Sequence, residues 1–199
     1  LADMGDYSGD CRYEVLLPTS RRPVVYEIGL FSRAAAGDTL APADYVIDWA
    51  VAKDGNSSRG FSAYADGNHY RFRGDRLQEY HFEWDSIPFQ TRGGGVQATG
   101  QFVDLLPTML ARELRGMLAD STFTVKFSPR AVLDGREAAM VEASQEVGGY
   151  VGRNYTLYCD PATGLPLQIY NEYNPGRVSE QSVKVSYTYP ASDVSLKAV

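Results

Sequence analysis

The dominant pattern in the chain is a one-by-one alternation of apolar and polar residues. In one such run, Tyr45, Ile47, Trp49 and Val51 alternate with Asp48, Ala50 and Ala52. Because successive side chains of a β-strand point to opposite faces, a run of this kind has one buried side and one wetter side. Alternating runs occupy 45–52, 79–84, 122–127, 165–170 and 183–189. The pattern predicts an antiparallel sheet with one face against a core.

Short turn sequences separate these runs. Asp66-Gly67, Gly74-Asp75, Asp134-Gly135 and Pro175-Gly176 stand between alternating stretches, and residues 160–164 form a further turn. Glycine readily adopts the positive φ that tight hairpin turns require. From residue 122 onward the spacing predicts a meander of antiparallel strands joined by short turns.

One stretch changes to the period of a helix. Apolar residues recur three and four positions apart at Phe102, Leu106, Met109, Leu110, Leu114, Met117 and Leu118. This spacing predicts an amphipathic helix over about 102–119, with Arg112, Glu113 and Arg115 on its polar side. Such a helix would be about 27 Å long. About five or six strands are equally wide, so the helix is expected to be long enough to cross the whole sheet. Loops are expected at 33–44 and in the glycine-rich stretch 91–100.

Together these elements predict a mainly β (α+β) fold. One long amphipathic helix is expected to pack against the concave side of a strongly curved antiparallel sheet. We expect a single domain over residues 1–199, with its core at about 11–190 and a tail at 190–199. A chain of this length buries roughly 70% of its unfolded surface, which is enough for a core without metal ions.

Composition narrows the classes of partner. The net charge is −6, the pI is about 4.9, and no cluster of lysine and arginine occurs. Nucleic acids and anionic membranes are bound by concentrated positive charge, so no nucleic-acid partner is expected. No apolar run is long enough for a transmembrane segment. The chain starts at Leu1, which fits a removed signal peptide and equally a truncation.

The two cysteines, Cys11 and Cys159, leave two alternatives open. In an oxidising compartment they could form a disulfide that closes a long loop, whereas in the cytosol they would remain buried thiols. The expected location is periplasmic or secreted, in the cell envelope. Association with a membrane surface is an open alternative there.

The sequence contains no arrangement typical of a catalytic or metal site. His69 and His81 are expected to face solvent, and no HxH, HExxH, CxxC, GxSxG or phosphate-loop motif occurs. A carboxylate pair such as Asp44 and Asp48, or Glu79 and Glu83, would suit glycoside hydrolysis only if folding brought the two face to face. The sequence therefore predicts a non-enzymatic protein with no metal and no cofactor.

Large apolar side chains form the candidate binding site. If sheet and helix enclose a cavity, strand aromatics and the apolar side of the helix would line it. The candidates are Trp49, Tyr64, Tyr70, Phe72, Tyr80, Phe82, Trp84, Phe102, Leu106, Met109, Leu110 and Leu114. The alternative is that these residues pack into an ordinary core without a cavity.

Two hairpin sequences carry a resemblance to a known family. Residues 62–72 read Ser-Ala-Tyr-Ala-Asp-Gly-Asn-His-Tyr-Arg-Phe, and residues 157–167 read Leu-Tyr-Cys-Asp-Pro-Ala-Thr-Gly-Leu-Pro-Leu. With the order meander, glycine-rich loop, helix, second meander, they resemble the LolA/LolB-like superfamily of bacterial lipoprotein carriers and related periplasmic domains. The resemblance covers roughly residues 11–190 and implies a half-barrel whose open side is closed by the helix.

The resemblance implies a non-enzymatic periplasmic or envelope protein. It would hold a lipid, a lipoprotein acyl chain or another apolar ligand between sheet and helix. The alternative is a protein-interaction or sensor module of the envelope that binds a protein partner and stores no ligand, similar to MucB/RseB or to the accessory domain of a larger envelope protein. A continuous apolar cavity favours the first hypothesis, and a fully packed sheet–helix interface favours the second.

Overall fold

The computed structural model describes residues 6–34, 42–53, 55–73, 76–81 and 102–190. Within these ranges the chain forms eleven strands, one short 3-10 helix and one α-helix. The first half contains β1 (Tyr7–Leu16), β2 (Val24–Ala34), β3 (Pro42–Lys53), β4 (Asn56–Ala65), β5 (Asn68–Arg73) and β6 (Arg76–His81). A 3-10 helix (Val103–Leu105) and α1 (Pro107–Ala119) follow. The second half contains β7 (Phe123–Leu133), β8 (Arg136–Val147), β9 (Tyr150–Cys159), β10 (Pro166–Tyr173) and β11 (Gln181–Thr188).

All eleven strands belong to one antiparallel sheet. Its order is β6-β5-β4-β3-β2-β1-β11-β10-β9-β8-β7. Each half is a meander of sequential hairpins, as the alternating runs predict. The halves join where β1 pairs with β11, from Asp10 opposite Thr188 to Leu16 opposite Ser182. Within the described residues β6 and β7 are the two ends of the order and do not pair with each other, so the mainly β, open sheet with one helix confirms the predicted fold class.

The predicted turns between strands are confirmed where they fall on described residues. Asp66-Gly67 has φ values of 51° and 80°, and Asp134-Gly135 has 49° and 79°. Two successive positive φ values are those of the hairpin turns that glycine favours. In the turn after β9, the Asp160 carboxylate accepts hydrogen bonds from the N–H groups of Ala162 (2.9 Å) and Thr163 (2.8 Å). The predicted turn Gly74-Asp75 and the loop at 91–100 lie outside the described residues.

The helix begins later than the sequence predicts. Phe102 has a positive φ of 69°, Val103–Leu105 form the 3-10 helix, and Leu106 is extended at the N-cap. Pro107 explains the boundary, because the residue before a proline avoids the helical region whereas the first helical position accepts proline. The α-helix has 13 residues and is therefore about 20 Å long. No helix in the described ranges is long and apolar enough to span a membrane.

The helix does not cross the whole sheet, which corrects the width expected from sequence. Eleven strands at about 4.8 Å spacing extend for about 48 Å along the curve of the sheet. The helix packs on what we call the inner face, which carries Ile28, Trp49, Leu157 and Val185. The opposite side, which carries Gly29, Asp48, Phe61 and Phe72, is called the outer face.

Candidate functional site

The centre of the interface between helix and sheet is closed. Leu106, Leu110 and Met117 form the stripe of α1 and its N-cap that faces the sheet, and they are 0%, 1% and 0% exposed. A side chain beside a void large enough for water would show accessible surface there. No such void therefore borders these three residues, and at this place the ordinary-core alternative holds.

Aromatic rings extend this packing at the start of the helical segment. Phe102 meets Tyr13, Tyr26 and Trp49 edge-on, with ring centroids 5.2, 5.1 and 6.3 Å apart. The hydroxyl of Tyr187 donates a hydrogen bond of 3.1 Å to the Leu105 carbonyl. Edge-to-face rings at these distances are favourable geometries. The 3-10 segment is thus held against β1, β2 and β3 on one side and β11 on the other.

A buried ion pair lies within the same interface. Arg153 of β9 donates from Nη2 to Glu113 Oε1 at 2.9 Å, and from Nε to Asn171 Oδ1 at 2.9 Å. The side chains of Arg153 and Glu113 are only 14% and 10% exposed. The prediction that Glu113 lies on the polar side of the helix is therefore wrong. Its position, three residues after Leu110 and four before Met117, is the signal that could have placed it towards the sheet.

The surroundings keep Arg153 charged. Burial is the largest influence and opposes its charge, but the Glu113 carboxylate together with Tyr173 and Tyr155 outweighs it, and the pKa of Arg153 is raised. The guanidinium also lies over the rings of Tyr155 (5.2 Å) and Tyr173 (5.4 Å). This polar cluster fixes the helix to the second half of the sheet.

Two of the strand aromatics proposed for the cavity lie on the wrong face. Tyr70 pairs with Ala63, and Phe72 pairs with Phe61, so both belong to the outer face. The two-residue turn at Asp66-Gly67 sets this register by pairing Ala65 with Asn68. Each residue of β5 therefore shares a face with its partner in β4, whatever its hydrophobicity.

The remaining strand candidates differ in where the structure places them. Trp49 and Tyr64 lie on the inner face, where Trp49 is 4% exposed and Tyr64 is half-buried. In β6, Tyr80 pairs with His69. The other two candidates, Phe82 and Trp84, lie outside the described residues.

His69 is buried, which overturns the prediction that it faces solvent. It is 1% exposed and lies on the inner face of β5. Its Nδ1 is 3.2 Å from the hydroxyl of Tyr45, and its ring is 4.5 Å from the ring of Tyr64. Nothing in the local sequence signals this burial, because it follows from the pairing of β3, β4 and β5.

The inner face is more open away from the buried helix stripe. Met109 and Leu114, on the two flanks of that stripe, are half-buried. On β7 and β8 the half-buried residues Phe123, Val125 and Val141 continue the inner face, and Phe127 beside Val141 is 66% exposed. We call these four residues the inner shelf. It is apolar surface that solvent reaches.

The disulfide considered from the sequence does not form. Cys11 and Cys159 are both free thiols, the first buried and the second half-buried. Cys11 is in β1 and Cys159 is at the end of β9, with β11 and β10 between them. Three strand spacings are about 14 Å, whereas disulfides need Cα atoms within about 7 Å.

Of the carboxylates considered for catalysis, Asp44 and Asp48 do not form a pair, and Glu83 lies outside the described residues. Asp44 is bound by Arg33 on the neighbouring strand. Asp48 lies four residues further along β3, which is about 13 Å in a strand. Two carboxyl groups that act on one glycosidic bond stand about 5–9.5 Å apart. Across the described ranges, no three His, Cys, Asp or Glu side chains converge as metal ligands would.

No protein-family model matches the sequence, and no curated protein matches it. Among solved structures, the chain is similar to MucB of the Pseudomonas aeruginosa MucA/MucB complex, with 14% identity, a TM-score of 0.42 and coverage of 94% of this chain and 54% of that one. LprF from Mycobacterium bovis shows 10% identity and a TM-score of 0.42, with coverage of 96% and 89%. A LolA superfamily protein from Nitrosomonas europaea shows 7% identity and a TM-score of 0.35, with coverage of 94% and 86%. The chain spans about half the length of the MucB chains that it matches.

Proposed function

We propose that this chain is a non-catalytic binding domain of the cell envelope whose inner face takes up a lipid acyl chain or a similar apolar ligand. One observation carries the proposal: the apolar inner face extends beyond the area that the helix covers. The helix is about 20 Å long, while the sheet extends for about 48 Å. The exposed ring of Phe127 lies at one end of that face, on the last strand of the sheet.

The site for such a ligand is beside the central helix stripe and not beneath it. Leu106 and Leu110 are fully packed, so a ligand there would first have to displace the helix. The inner shelf and the half-buried helix flanks at Met109 and Leu114 need no displacement. Covering apolar surface contributes about 25 cal/mol per Å², and each buried methylene of an acyl chain contributes about 0.8 kcal/mol. One acyl chain of ordinary length therefore has enough driving force for binding.

Palmitate is a suitable probe, and native mass spectrometry is a direct readout. The purified chain is expected to retain one palmitate per molecule. Phe127→Glu places a charge on the inner shelf, and because Phe127 is 66% exposed the substitution should leave the fold intact. We expect this variant to lose at least about tenfold in palmitate affinity, since an unpaired charge is costly against an acyl chain.

Leu77→Glu is the matched control. Leu77 is 62% exposed and pairs with Phe72 on the outer face, so its substitution should leave palmitate binding unchanged. Circular dichroism would confirm that both variants fold. Absence of palmitate from the wild-type chain, or equal losses in the two variants, would refute the proposed site.

A second function is favoured by the closed centre of the interface. A sheet–helix contact with no void at Leu106, Leu110 and Met117 suits a module that binds an envelope protein and stores no ligand. In the described residues β7 has a strand partner only on its β8 side, although a bulge between Ser128 and Ala131 interrupts that strand. Unpaired strand edges are docking sites for extended segments.

The two functions are distinguished by whether the chain binds an envelope protein or palmitate. If a protein partner pairs with β7, replacing Val125 by proline, which removes a backbone N–H, should abolish partner binding, whereas Val125→Ala, which keeps the N–H, should retain it. If the domain is a ligand carrier, the wild-type chain should bind palmitate when no partner protein is present. A chain that binds neither palmitate nor an envelope protein would exclude both functions.

A further inference from the structure

A groove crosses the outer face of the first half, on the side away from the helix. Its volume is about 920 Å³, and its lining comes from β11, β1, β2, β3, β4 and β5. One row of paired residues runs through it in the order Thr188, Asp10, Gly29, Asp48, Phe61, Phe72. Five strand spacings make this row about 24 Å long, which is the length of about seven extended residues. We call it the outer groove.

Two carboxylates lie close together at one end of the outer groove. Gly29 stands between Asp10 and Asp48 in the row. A Cβ at Gly29 would be 2.5 Å from Asp48 Oδ1, so the Asp48 carboxylate leans over the glycine towards Asp10. The two carboxylates are therefore separated by between one and two strand spacings, about 5–10 Å. In the described part of the chain neither has a salt-bridge partner.

The other end of the outer groove is aromatic. The rings of Phe61 and Phe72 stack with centroids 5.7 Å apart and planes at 16°. Both side chains are half-buried, and Leu77 beside Phe72 is 62% exposed. Such a surface offers apolar contact area, and its ring faces also attract cations.

The remaining charges around the groove leave it acidic. Among the described residues, its lining includes the acids Asp10, Glu27 and Asp48 and one cation, Arg59. Glu27 is already bound by Arg12 at 2.9 Å from a neighbouring strand. The charge that faces an incoming ligand is thus dominated by Asp10 and Asp48, which matches a cationic partner.

We propose that the outer groove binds an extended segment of a partner protein that carries two basic side chains followed by an apolar one. The basic side chains, two residues and about 7 Å apart in an extended segment, meet Asp10 and Asp48. The apolar side chain lies on Phe61 and Phe72. An open groove about 24 Å long fits a polypeptide better than a compact small molecule. This site lies on the face opposite the proposed apolar site, so its test is independent of palmitate binding.

A labelled heptapeptide with arginine at positions 1 and 3, leucine at positions 5 and 7 and serine elsewhere is the probe. Its affinity is measured by fluorescence anisotropy at low salt and at about 0.3 M salt, where exposed charge pairs are screened. We expect saturable binding that weakens with salt. The double variant Asp10→Asn with Asp48→Asn should weaken binding at least about tenfold, and Phe72→Ala should weaken it about fivefold.

Gly29→Ala separates a built site from general attraction between opposite charges. The variant keeps both carboxylates, but the added Cβ would push the Asp48 carboxylate away from its position over residue 29. We expect peptide affinity to fall about fivefold or more. The matched control removes two acids elsewhere, by Asp134→Asn with Glu142→Gln on the β7–β8 hairpin, and should bind as the wild type does. Circular dichroism and thermal melting confirm the folding of every variant.

Several outcomes would overturn the proposal. One is that the wild-type chain fails to bind the peptide, or binds a version with glutamate in place of arginine equally well. Another is that the control double variant loses as much affinity as the groove double variant, or that Gly29→Ala binds as tightly as the wild type. If arginine amide alone bound as tightly as the heptapeptide, the groove would be a small-cation site instead.

Discussion

At the scale of single residues, Glu113 shows how burial depends on a partner. A glutamate that faces a hydrophobic sheet loses its hydration, and that cost is offset only if a cation and hydrogen bonds replace the water. Arg153 supplies the cation, while Asn171 holds the guanidinium in place. The pair thereby holds the helix at one position on β9, while its net contribution to the stability of the chain is small.

Breaking this pair should be costly. Glu113→Gln leaves the Arg153 guanidinium buried without its counter-ion, and we expect a loss of about 3–5 kcal/mol in the free energy of unfolding, measured in urea. Glu14→Gln is the control, because the pair of Arg12 and Glu14 is solvent-exposed and should be worth no more than about 1 kcal/mol. Replacing both Glu113 and Arg153 by methionine should recover much of the loss. Similar losses for Glu113→Gln and Glu14→Gln would contradict a buried pair.

The Cys159 thiol gives a pH dependence of known sign. Burial raises the pKa of Cys159 from 9.0 to about 11. Because the folded-state pKa lies above the unfolded one, the contribution to stability is complete below about pH 9 and disappears as the pH rises to about 11.

The wild-type chain should therefore lose stability more steeply than Cys159→Ala between pH 9 and pH 11, in urea titrations at each pH. Tyrosines titrate in both proteins, so the comparison isolates the thiol. Titration of thiols in denaturant without reductant should find two per chain, in keeping with the free cysteines. Parallel pH profiles for the two proteins would mean that Cys159 is not buried when folded.

At the scale of elements, the space beside each strand glycine decides whether it tolerates substitution by alanine. Gly60 of β4 lies under the Trp49 ring and beside the Phe72 carbonyl, and an added Cβ would meet them at 2.6 and 2.4 Å. Gly152 of β9 is also in a strand, but its added Cβ would lie 3.4 Å from Val147 Cγ2, an ordinary contact. Neither glycine has a positive φ, so the comparison concerns space and not backbone strain.

Gly60→Ala should destabilise the chain by about 1–3 kcal/mol or more, because the overlap involves backbone and a buried indole. Gly152→Ala should be neutral or slightly stabilising, since alanine reduces the entropy of the unfolded chain. Thermal melting of the two variants beside the wild type measures both effects. Equal melting temperatures for the two variants would show that β4 does not pack beneath Trp49.

At the scale of the whole molecule, two meanders become one body by two kinds of contact. β1 pairs with β11 along seven residue pairs. The helical segment then touches both halves, through Phe102 against Trp49 on one side and Glu113 with Arg153 on the other. Contacts that span both halves favour cooperative unfolding.

We expect one unfolding transition in urea. Tryptophan fluorescence, which includes Trp49 of the first half, and far-UV circular dichroism, which reports all strands, should give the same midpoint. Glu113→Gln, which alters only a contact of the second half, should lower both midpoints together. Two separate transitions would instead show that the halves fold independently.

Much of the fold follows from local patterns. Period-two runs predicted β3, β7, β10 and β11, and aspartate–glycine pairs predicted the turns at 66–67 and 134–135. The three-and-four spacing found the stripe of Leu106, Leu110 and Met117 that the structure buries. These features depend on residues near one another in the chain, where side-chain period and backbone preference act directly. Whether the candidate apolar residues bind a ligand stays a prediction.

The sequence by itself determined the types of element, their order and the helix stripe of Leu106, Leu110 and Met117, but not where the helix begins or that Glu113 faces the sheet. Only the tertiary structure decided the pairing of β1 with β11, the outer-face position of Tyr70 and Phe72, the burial of His69 and the separation of the cysteines. The same is true of the outer groove, whose lining combines β1–β5 with β11 from the other half of the chain. The physical reason is that register and long-range pairing depend on contacts between segments far apart in the chain, and periodicity within one segment carries no information about its partner.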